Sequence, residues 1–350
     1  VAADAAGNLY VPEYYSTTAA IRKISTSGII TTIFNTSHST TYAGDGGLAT
    51  AATGNAPLGI GVAPNGDIYF TNYSDFRLRK IDSNGYISRV AGDGTGSYTG
   101  NGGLATSAAI GYVAGIAINS RGEIFLSSYY YCVRKIDPTT GIISAYAGSC
   151  STSGHTGDGG LAVNATFLNL WGIAVDGADN LYLAERGGQT IRKIEYSTGI
   201  VTSIVGIHGT SGNLNGTTAN ATINSPYSVT IAANGDMYIA DFNNNLIRKV
   251  AGIGVPFSQS APTITYNAIV KFNTSTSLQV SGGGTGKITF YSNGKRIPGC
   301  IARTYSGSIT CSWKPATRGI VKVFAIIDTG SGSSKTNTLE ISSTARTTSR

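Results

Sequence analysis

Charged residues, histidine and methionine are scarce in this sequence. Of its 350 residues only 12% are charged, three are His and one is Met. No Cys-x-x-Cys pair occurs and the three His lie far apart, which argues against a zinc site. No apolar run approaches the roughly 18 residues that cross a bilayer. We therefore predict no metal, no cofactor and no membrane span.

Glycine, tyrosine and β-branched residues are plentiful instead. The chain holds 47 Gly and 20 Tyr, and 41% of its residues are hydrophobic. Clusters of Ser, Thr, Asn and Gly separate short β-branched runs, a pattern typical of an all-β protein, and the length predicts two domains. The net charge of +7 could suit an anionic partner, but the basic residues are dispersed as single Arg-Lys pairs. We interpret those pairs as solvated strand edges and predict no nucleic-acid partner.

An apolar-Arg-Lys-apolar tetrapeptide recurs five times along the chain. Successive arginines are 55 to 58 residues apart. A spacing that long and that constant indicates one supersecondary unit copied in tandem. The copies are Ile21-Arg22-Lys23-Ile24, Leu78-Arg79-Lys80-Ile81, Val133-Arg134-Lys135-Ile136, Ile191-Arg192-Lys193-Ile194 and Ile247-Arg248-Lys249-Val250.

Each copy reads as four short strands. In the fourth copy the strands are predicted at 172–175, 180–184, 191–194 and 200–205, separated by turns rich in Asp, Asn, Ser and Gly. Four antiparallel strands joined by tight turns form one blade of a β-propeller, and neighbouring blades must cover each other's faces. Residues 1–4 align with 173–176, so Val1 falls inside a repeat, and we expect a processed or trimmed product.

Residues 1 to about 254 resemble the NHL-repeat propellers. The resemblance rests on Gly-Ile-Ala-Val at 172–175, Ile-Arg-Lys-Ile at 191–194 and Gly-Asp-Met-Tyr at 235–238, and on Gly-Asp-Gly-Gly-Leu-Ala at 44–49, which recurs at 157–162 and, with Asn for Asp, at 100–105. It implies an NHL-type β-propeller, in which six blades are common. Five copies are visible, and the last ends at Val250 without a convincing fourth strand. A sixth blade would have to be completed from elsewhere, so ring closure stays open.

The sequence changes character after the fifth copy. Residues 255–261 read as a linker, and residues 262–350 lose the repeat and read as about seven strands, with an Asn-Gly hairpin at 287–297. Phe-Tyr at 290–291, Asn-Gly at 293–294, Gly-Cys at 299–300 and Cys-Ser-Trp at 311–313 resemble the bacterial-type Ig-like repeats of large surface proteins. That resemblance implies an Ig-like β-sandwich acting as a spacer or assembly module.

The four cysteines divide two per domain. Cys132 and Cys150 flank the third and fourth strands of the middle blade, and Cys300 and Cys311 flank one hairpin of the Ig-like region. We favour the disulfides Cys132–Cys150 and Cys300–Cys311 over free thiols, and disulfides indicate an oxidising, extracellular location. Six Asn-x-Ser/Thr sequons are compatible with a secreted glycoprotein: Asn35, Asn72, Asn164, Asn215, Asn220 and Asn273.

Catalytic side chains are missing where a propeller enzyme needs them. The predicted innermost strands carry no His, Asp or Glu, and lyases and hydrolases of the NHL type need such metal ligands around the channel. Glu13, Glu185 and Asp241 share one position after the second strand, but Asn72 and Ser128 interrupt that ring. We expect His38, His155 and His208 on the surface. Each Gly-Asp-Gly-Gly segment has too few acids for calcium, and we interpret its Asp as the cap of the following turn.

Aromatic residues recur in the loops between the second and third strands. Exposed aromatics on one rim would form an interaction surface, since tyrosine offers a large contact area with a polar tip. The alternative is that these rings pack between blades. The candidate binding residues are Tyr14, Tyr15, Tyr73, Phe76, Tyr129, Tyr130, Tyr131 and Phe242.

These features together predict a non-catalytic, extracellular structural or adhesion protein. Its propeller and Ig-like modules would contact other proteins or glycans, and it could be a subunit of a surface filament or appendage. The alternative is a metal-dependent NHL-type lyase or hydrolase, resembling a lactonase, with a divalent metal in the channel.

Overall fold

The protein is described by a computed structural model that covers residues 1–15, 19–255, 263–266, 276–293, 295–301, 303–314, 319–328, 333–335 and 339–343. The chain divides into two compact units, Val1–Phe257 and Ser258–Arg350. Apart from Val255, the predicted linker at 255–261 lies outside the described residues.

The first unit consists of five antiparallel sheets, four with four strands and the last with three. Each sheet contains its strands in chain order, as expected for consecutive hairpins, and the prediction of an all-β propeller is confirmed. The strands are β1 Ala2–Ala3, β2 Leu9–Glu13, β3 Ala20–Ile24 and β4 Ile30–Phe34; β5 Pro57–Val62, β6 Ile68–Asn72, β7 Arg77–Ile81 and β8 Ile87–Ala91; β9 Val113–Ile118, β10 Ile124–Ser128, β11 Val133–Ile136 and β12 Ile143–Ala147; β13 Leu170–Val175, β14 Leu181–Glu185, β15 Thr190–Ile194 and β16 Val201–Val205; and β17 Pro226–Ile231, β18 Met237–Asp241 and β19 Leu246–Val250.

The five sheets surround a central channel as blades. The innermost strands β1, β5, β9, β13 and β17 follow one another in space, each packed beside the next. All five contribute residues to a single cavity of about 530 Å³. Apolar side chains fill the space between blades; Phe34 and Phe70, for example, are fully buried with ring centroids 4.8 Å apart. Stacking is required because one four-stranded sheet buries too little apolar surface to be stable alone.

The arginine of the repeated tetrapeptide is buried and binds the segment that joins two blades. The Arg192 guanidinium donates to the Asp158 carboxylate at 2.6 Å and to the backbone carbonyl oxygens of Thr156 and Thr166, both at 2.9 Å. A guanidinium has five fixed donors, and these acceptors hold the segment against the outer half of the blade. We call this contact the inter-blade clamp.

Two further copies form the same clamp. Arg79 contacts Asp45 at 2.8 Å, and Arg134 contacts the side-chain oxygen of Asn101 at 2.9 Å; each also donates to two backbone carbonyls of its segment. Where the acid is replaced by Asn101, burial lowers the pKa of Arg134 to about 10. The interpretation of the Arg-Lys pairs as solvated strand edges is therefore wrong for these three arginines, which are at most 3% exposed.

The neighbouring lysines bind the turn at the other end of the blade. Lys80 pairs with Asp67 at 2.9 Å and Lys249 with Asp236 at 2.7 Å. Lys135 pairs with Glu123 at 2.7 Å. The Gly-Asp or Gly-Glu dipeptide that precedes the second strand therefore has a structural role. Its carboxylate ties the third strand to the turn between the first and second strands.

The Asp of the Gly-Asp-Gly-Gly segment does not cap the turn after it. The short 3-10 turn Ala162–Asn164 has no side-chain cap, and its preceding residue is Leu161. The Asp158 carboxylate accepts instead from Arg192 and from the backbone N–H of Ser203 at 3.0 Å. The capping interpretation is therefore wrong, because both carboxylate oxygens of Asp158 bind partners outside that turn.

The strands described in the second unit form a separate sheet of seven strands around its own apolar cluster. The Asn-Gly hairpin is present, since β21 and β22 pair Tyr291 with Arg296 and Ser292 with Lys295. An Ig-like sandwich stays an expectation from the resemblance. The strands are β20 Thr263–Tyr266, β21 Thr276–Ser292, β22 Lys295–Arg296, β23 Arg303–Trp313, β24 Gly319–Asp328, β25 Ser333–Lys335 and β26 Leu339–Ser343.

Disulfides join both cysteine pairs that the spacing predicts, Cys132–Cys150 and Cys300–Cys311. Within the residues that the structure describes, no helix is long and apolar enough to cross a membrane.

Two of the six sequons cannot be modified in this fold. Asn35 and Asn72 are fully buried. The Asn35 amide donates to the backbone carbonyls of Ala19 and Ser39, so an attached sugar would displace it from the core. Asn164, Asn215 and Asn220 are exposed, and Asn273 lies outside the described residues.

Replacing Arg192 by Met should lower the free energy of unfolding by about 3 kcal/mol, because it leaves two carbonyls and a carboxylate of the clamp without their donor. Urea denaturation followed by circular dichroism measures the loss. Lys193→Met, the adjacent half-buried change, is the control and should cost less than about 1 kcal/mol. Equal losses in the two variants would show that the clamp adds nothing specific.

The double variant Cys132→Ser/Cys150→Ser should lower the free energy of unfolding by roughly 3 kcal/mol, as expected for releasing a loop of this length. The pair is separated by 18 residues, and peptide mapping without reductant should recover it as one linked peptide. An unchanged denaturation midpoint after reduction would contradict this expectation.

Candidate functional site

Twelve aromatic side chains of the propeller form one connected network of ring contacts, in which nine follow one another and Phe76, Tyr98 and Tyr131 each join at the side. Ring centroids of successive neighbours lie 4.2 to 6.5 Å apart, mostly edge to face. The series runs from the first blade to the fifth, and we call it the aromatic arc. Its members are Tyr15, Tyr14, Tyr73, Phe76, Tyr98, Tyr112, Tyr131, Tyr130, Tyr129, Trp171, Tyr227 and Phe242.

The topology of each blade brings these residues together. In an antiparallel blade the end of the second strand lies beside the start of the innermost strand. The loops after β6 and β18 are 3-10 turns that begin at Tyr73 and Phe242 and present their rings at this rim. Phe76 closes the first of these turns with φ of +53°. A bulky residue in the left-handed region is strained, and this one contacts Tyr112 with centroids 4.8 Å apart.

All eight predicted binding residues belong to the arc, and four further members were not predicted. Trp171 and Tyr227 occupy equivalent positions in the innermost strands β13 and β17. Trp171 lies two residues before Ile173, and Tyr227 lies two residues before Val229. A sequence signal for them existed, because a large aromatic there interrupts a run of small residues. Tyr98 and Tyr112 gave no such signal; they meet only because the Tyr98 hydroxyl accepts from the Tyr112 N–H at 2.9 Å.

The arc is a packed layer whose two ends are open to solvent. Tyr15 is 77% exposed, Tyr14 42% and Phe242 54%, whereas the members between them are half-buried. Both interpretations of the loop aromatics therefore hold for part of the set: the middle rings pack against one another and the terminal rings offer free surface.

Burial in the arc affects the tyrosine phenols. Burial raises the pKa of Tyr227, Arg186 lowers it, and the charges of Tyr14 and Tyr129 raise it again. Burial likewise raises the pKa of Tyr73, with added contributions from Tyr14 and Tyr129. These phenols therefore favour the neutral, protonated form.

Two polar groups accompany the rings. The Arg186 guanidinium lies 5.5 Å from the ring centroid of Trp171 and 6.0 Å from that of Tyr227. The indole Nε1 of Trp171 is buried without a hydrogen-bond partner among the described residues. The Arg186 guanidinium and the Trp171 indole N–H therefore give the arc two groups that can bind polar atoms of a partner.

The polar residues that end the second strands are structural. Glu185 is fully buried and accepts from the Leu168 N–H at 2.7 Å, and Asp241 is fully buried and accepts from the Asn224 N–H at 2.7 Å. Asn72 and Ser128 are also buried at this position, whereas Glu13 is half-buried and pairs with Arg22. These groups satisfy the backbone that enters the innermost strand.

His155 is not the surface residue that the sequence predicts. Its side chain is 9% exposed, its Nδ1 lies 2.7 Å from a Glu185 oxygen, and its Nε2 lies 3.3 Å from Ser203 Oγ. This order imitates a Ser-His-Glu triad, but the Ser203 N–H already binds the Asp158 carboxylate, whose charge would repel an oxyanion. His208 is exposed and stacks on His155, and His38 is exposed.

The channel itself is lined by uncharged side chains, chiefly Val, Ala, Ile and Gly, with Ser228 and Thr230 as polar members. Within the described residues, no group of three or more His, Cys, Asp or Glu is placed to hold a metal ion.

Part of the chain is similar in sequence to teneurins. Teneurin-4 of Homo sapiens is 28% identical over 234 residues, and teneurin-3 of Mus musculus is 29% identical over 230 residues. The matches cover 60% and 59% of this chain but only 8% of each relative's length. No family model matches the chain.

Solved structures share the fold at low identity. An auxiliary nutrient binding protein from Bacteroides thetaiotaomicron VPI-5482 superposes with a TM-score of 0.50 and 15% identity, over 68% of this chain and 54% of that one. Virginiamycin B lyase from Staphylococcus aureus gives a TM-score of 0.44 and 18% identity, over 80% and 75%. These likenesses concern the propeller-like fold alone.

Stability should fall as the pH rises above about 10, where tyrosines of the unfolded chain ionise while the raised pKa of Tyr73 keeps its folded phenol neutral. The folded-state preference for the neutral phenol is fully present below pH 10 and is lost as the pH climbs towards the folded pKa. Thermal midpoints between pH 8 and 12 measure the effect, which Tyr73→Phe should reduce. Tyr86→Phe, an exposed tyrosine outside the arc, is the control, and identical pH profiles for both variants would contradict the assignment.

Proposed function

We propose that this chain is an extracellular adhesion-type protein that contacts other proteins through the aromatic arc. The observation that carries this is the continuity of the arc: rings from all five blades form one surface, exposed at Tyr14, Tyr15 and Phe242. Tyrosine and tryptophan are the residue types on which protein interfaces most depend.

The similarity to teneurins and the two disulfides support an extracellular, adhesion-type protein. The matched region is a small part of each teneurin, so the similarity bears on the module and not on the activity of a whole teneurin. Contact with glycans and membership of a filament stay predictions from the sequence.

The strain at Phe76 points the same way. The positions equivalent to Phe76 in two other blades are Gln189 and Asn245, which also have positive φ. Asn tolerates the left-handed region well, whereas a phenylalanine there costs about 1 kcal/mol or more. The Phe76 ring packs on Tyr112 with centroids 4.8 Å apart, so a residue that the backbone disfavours adds to the continuity of the arc.

We assign no catalytic role to the channel. Among the described residues its lining has no His, Asp, Glu, Lys or Cys side chain, and the Tyr227 phenol is the one titratable side chain there. Elemental analysis of the purified protein tests this part, because a stoichiometric divalent metal would instead favour the lyase or hydrolase alternative.

The double variant Tyr14→Ser/Phe242→Ser should weaken binding at least tenfold, because it removes the exposed rings at both ends of the arc. Beads coated with the purified chain are offered a fluorescent second copy, and bound fluorescence is measured against concentration. These positions serve better than Tyr129, Tyr130 and Tyr131, whose half-buried rings also hold the fold together.

Tyr86→Ser is the matched control, since Tyr86 is 50% exposed in a turn outside the arc. It should bind as the unchanged chain does. Equal binding by the control and the double variant would remove the arc from the interaction, and absence of any binding between copies would exclude self-association as the adhesive contact.

A further inference from the structure

Within the part of the chain that the structure describes, the fifth blade has an open edge where the other four have an outer strand. Its last described strand, β19, is the edge of a three-stranded sheet. Ile247 in β19 is 72% exposed, whereas Ile21, Leu78, Val133 and Ile191 at the same position of the other blades are fully buried. An exposed edge with an apolar side chain is a template for pairing with another strand.

Residues 251–255, the described residues that follow β19, do not turn back to cover it. The Gly254 N–H donates to the Gly235 carbonyl, and the Val255 N–H donates to the Asp176 carboxylate at 2.9 Å. The chain therefore leaves the blade towards the first turns of the fourth and fifth blades. Beside the open edge lies a groove of about 600 Å³ whose apolar lining includes Val205, Ile223, Ile239 and Ile247.

A second gap lies on the first blade. In the second blade the inter-blade segment covers the outer strand, with the Gly46 N–H donating to the Ile87 carbonyl, and Ile87 is 1% exposed. Ile30, its equivalent in the first blade, is 52% exposed. Arg22 also lacks the clamp: its partner is Glu13 at 3.5 Å, and its Nε has no hydrogen-bond partner among the described residues.

The open edge of β19 and the uncovered first blade correspond to the two ends of one kind of segment, an outer strand followed by an inter-blade connection. In the complete units, an outer strand runs directly into the segment that clamps the next blade. Asp45 follows Phe34 at the end of β4 by 11 residues, and Asp158 follows Ala147 at the end of β12 by 11. β17 and β1 are the last and the first of the five innermost strands that line the channel. One segment of that length could pair with β19 and place a carboxylate on Arg22.

The complete blades also define the sequence that would fit. In these blades the outer strand has Ile or Val opposite the position of Val250, and Ser or Thr opposite the position of Lys249. Opposite the position of Ile247 it has Phe, Ala or Val. A fitting strand therefore has five positions: Ile or Val; Ser or Thr; any residue; Ile, Val or Tyr; and Ala, Val or Phe. An Asp or Asn follows the fifth position by ten or eleven residues.

We propose that the outer edge of β19 and the guanidinium of Arg22 form a single docking site for an extended partner segment with this strand-then-acid pattern. Main-chain hydrogen bonds to β19 supply affinity, the groove beside Ile247 selects an apolar side chain, and Arg22 selects the acid. This site includes no residue of the aromatic arc, so different substitutions test the two.

The probe is a synthetic peptide with the sequence of residues 30–49, which carries an outer strand and Asp45. It is titrated into the full chain by fluorescence anisotropy, with a short peptide of residues 30–36 in parallel. We expect one-to-one binding of the long peptide that Ile247→Lys weakens at least tenfold. Arg22→Ala should weaken the long peptide at least tenfold and leave the short one unchanged, because only the long peptide reaches the guanidinium.

Both variants change exposed or half-exposed side chains, and circular dichroism verifies that they fold. Tyr86→Ser, a change of an exposed side chain in the second blade, should leave peptide binding within twofold. Absence of binding at millimolar peptide, or equal effects of Arg22→Ala on both peptides, would overturn the paired site. A concentration-dependent dimer of the chain alone that Ile247→Lys abolishes would also overturn it, because the occupant would then be a second copy.

Discussion

The inter-blade clamp is the interaction on which the propeller depends. A blade presents two apolar faces that neighbouring blades must cover, and the connection between blades has to run along its outer half without leaving backbone groups unpaired. Arg79, Arg134 and Arg192 solve this problem by placing a buried guanidinium against two carbonyls and one side-chain oxygen of that connection. A buried charge of this kind is tolerated because each of its three nitrogens donates to an acceptor.

The same topology produces the aromatic arc. Antiparallel blades bring the ends of their second strands and the starts of their innermost strands to one rim, so aromatics at those two points of each repeat must meet. Because the rings pack on one another, the middle of the arc stabilises the fold, whereas Tyr14, Tyr15 and Phe242 retain exposed area. A packed, rigid aromatic layer loses little entropy on binding, which suits a recognition surface.

Sequence reasoning succeeded where the repeat supplied a register and failed where a side chain's partner came from another part of the chain. The blades, the cysteine pairs and the loop aromatics follow from positions within one repeat. The burial of Arg192, the roles of Asp158 and His155, and the burial of Asn35 depend on contacts between residues 16 to 48 positions apart. The aromatic members Tyr98 and Tyr112 were missed for the same reason.

The amino-acid sequence by itself determined the repeating four-stranded blade, because strand alternation and Gly, Asn and Asp turns are local properties of each copy. The tertiary structure alone decided which polar groups are buried and which rings form one surface, because those outcomes depend on how adjacent blades stack. It also decided that the outer edge of β19 is unpaired among the described residues, since residues 251–255 lead away from Ile247.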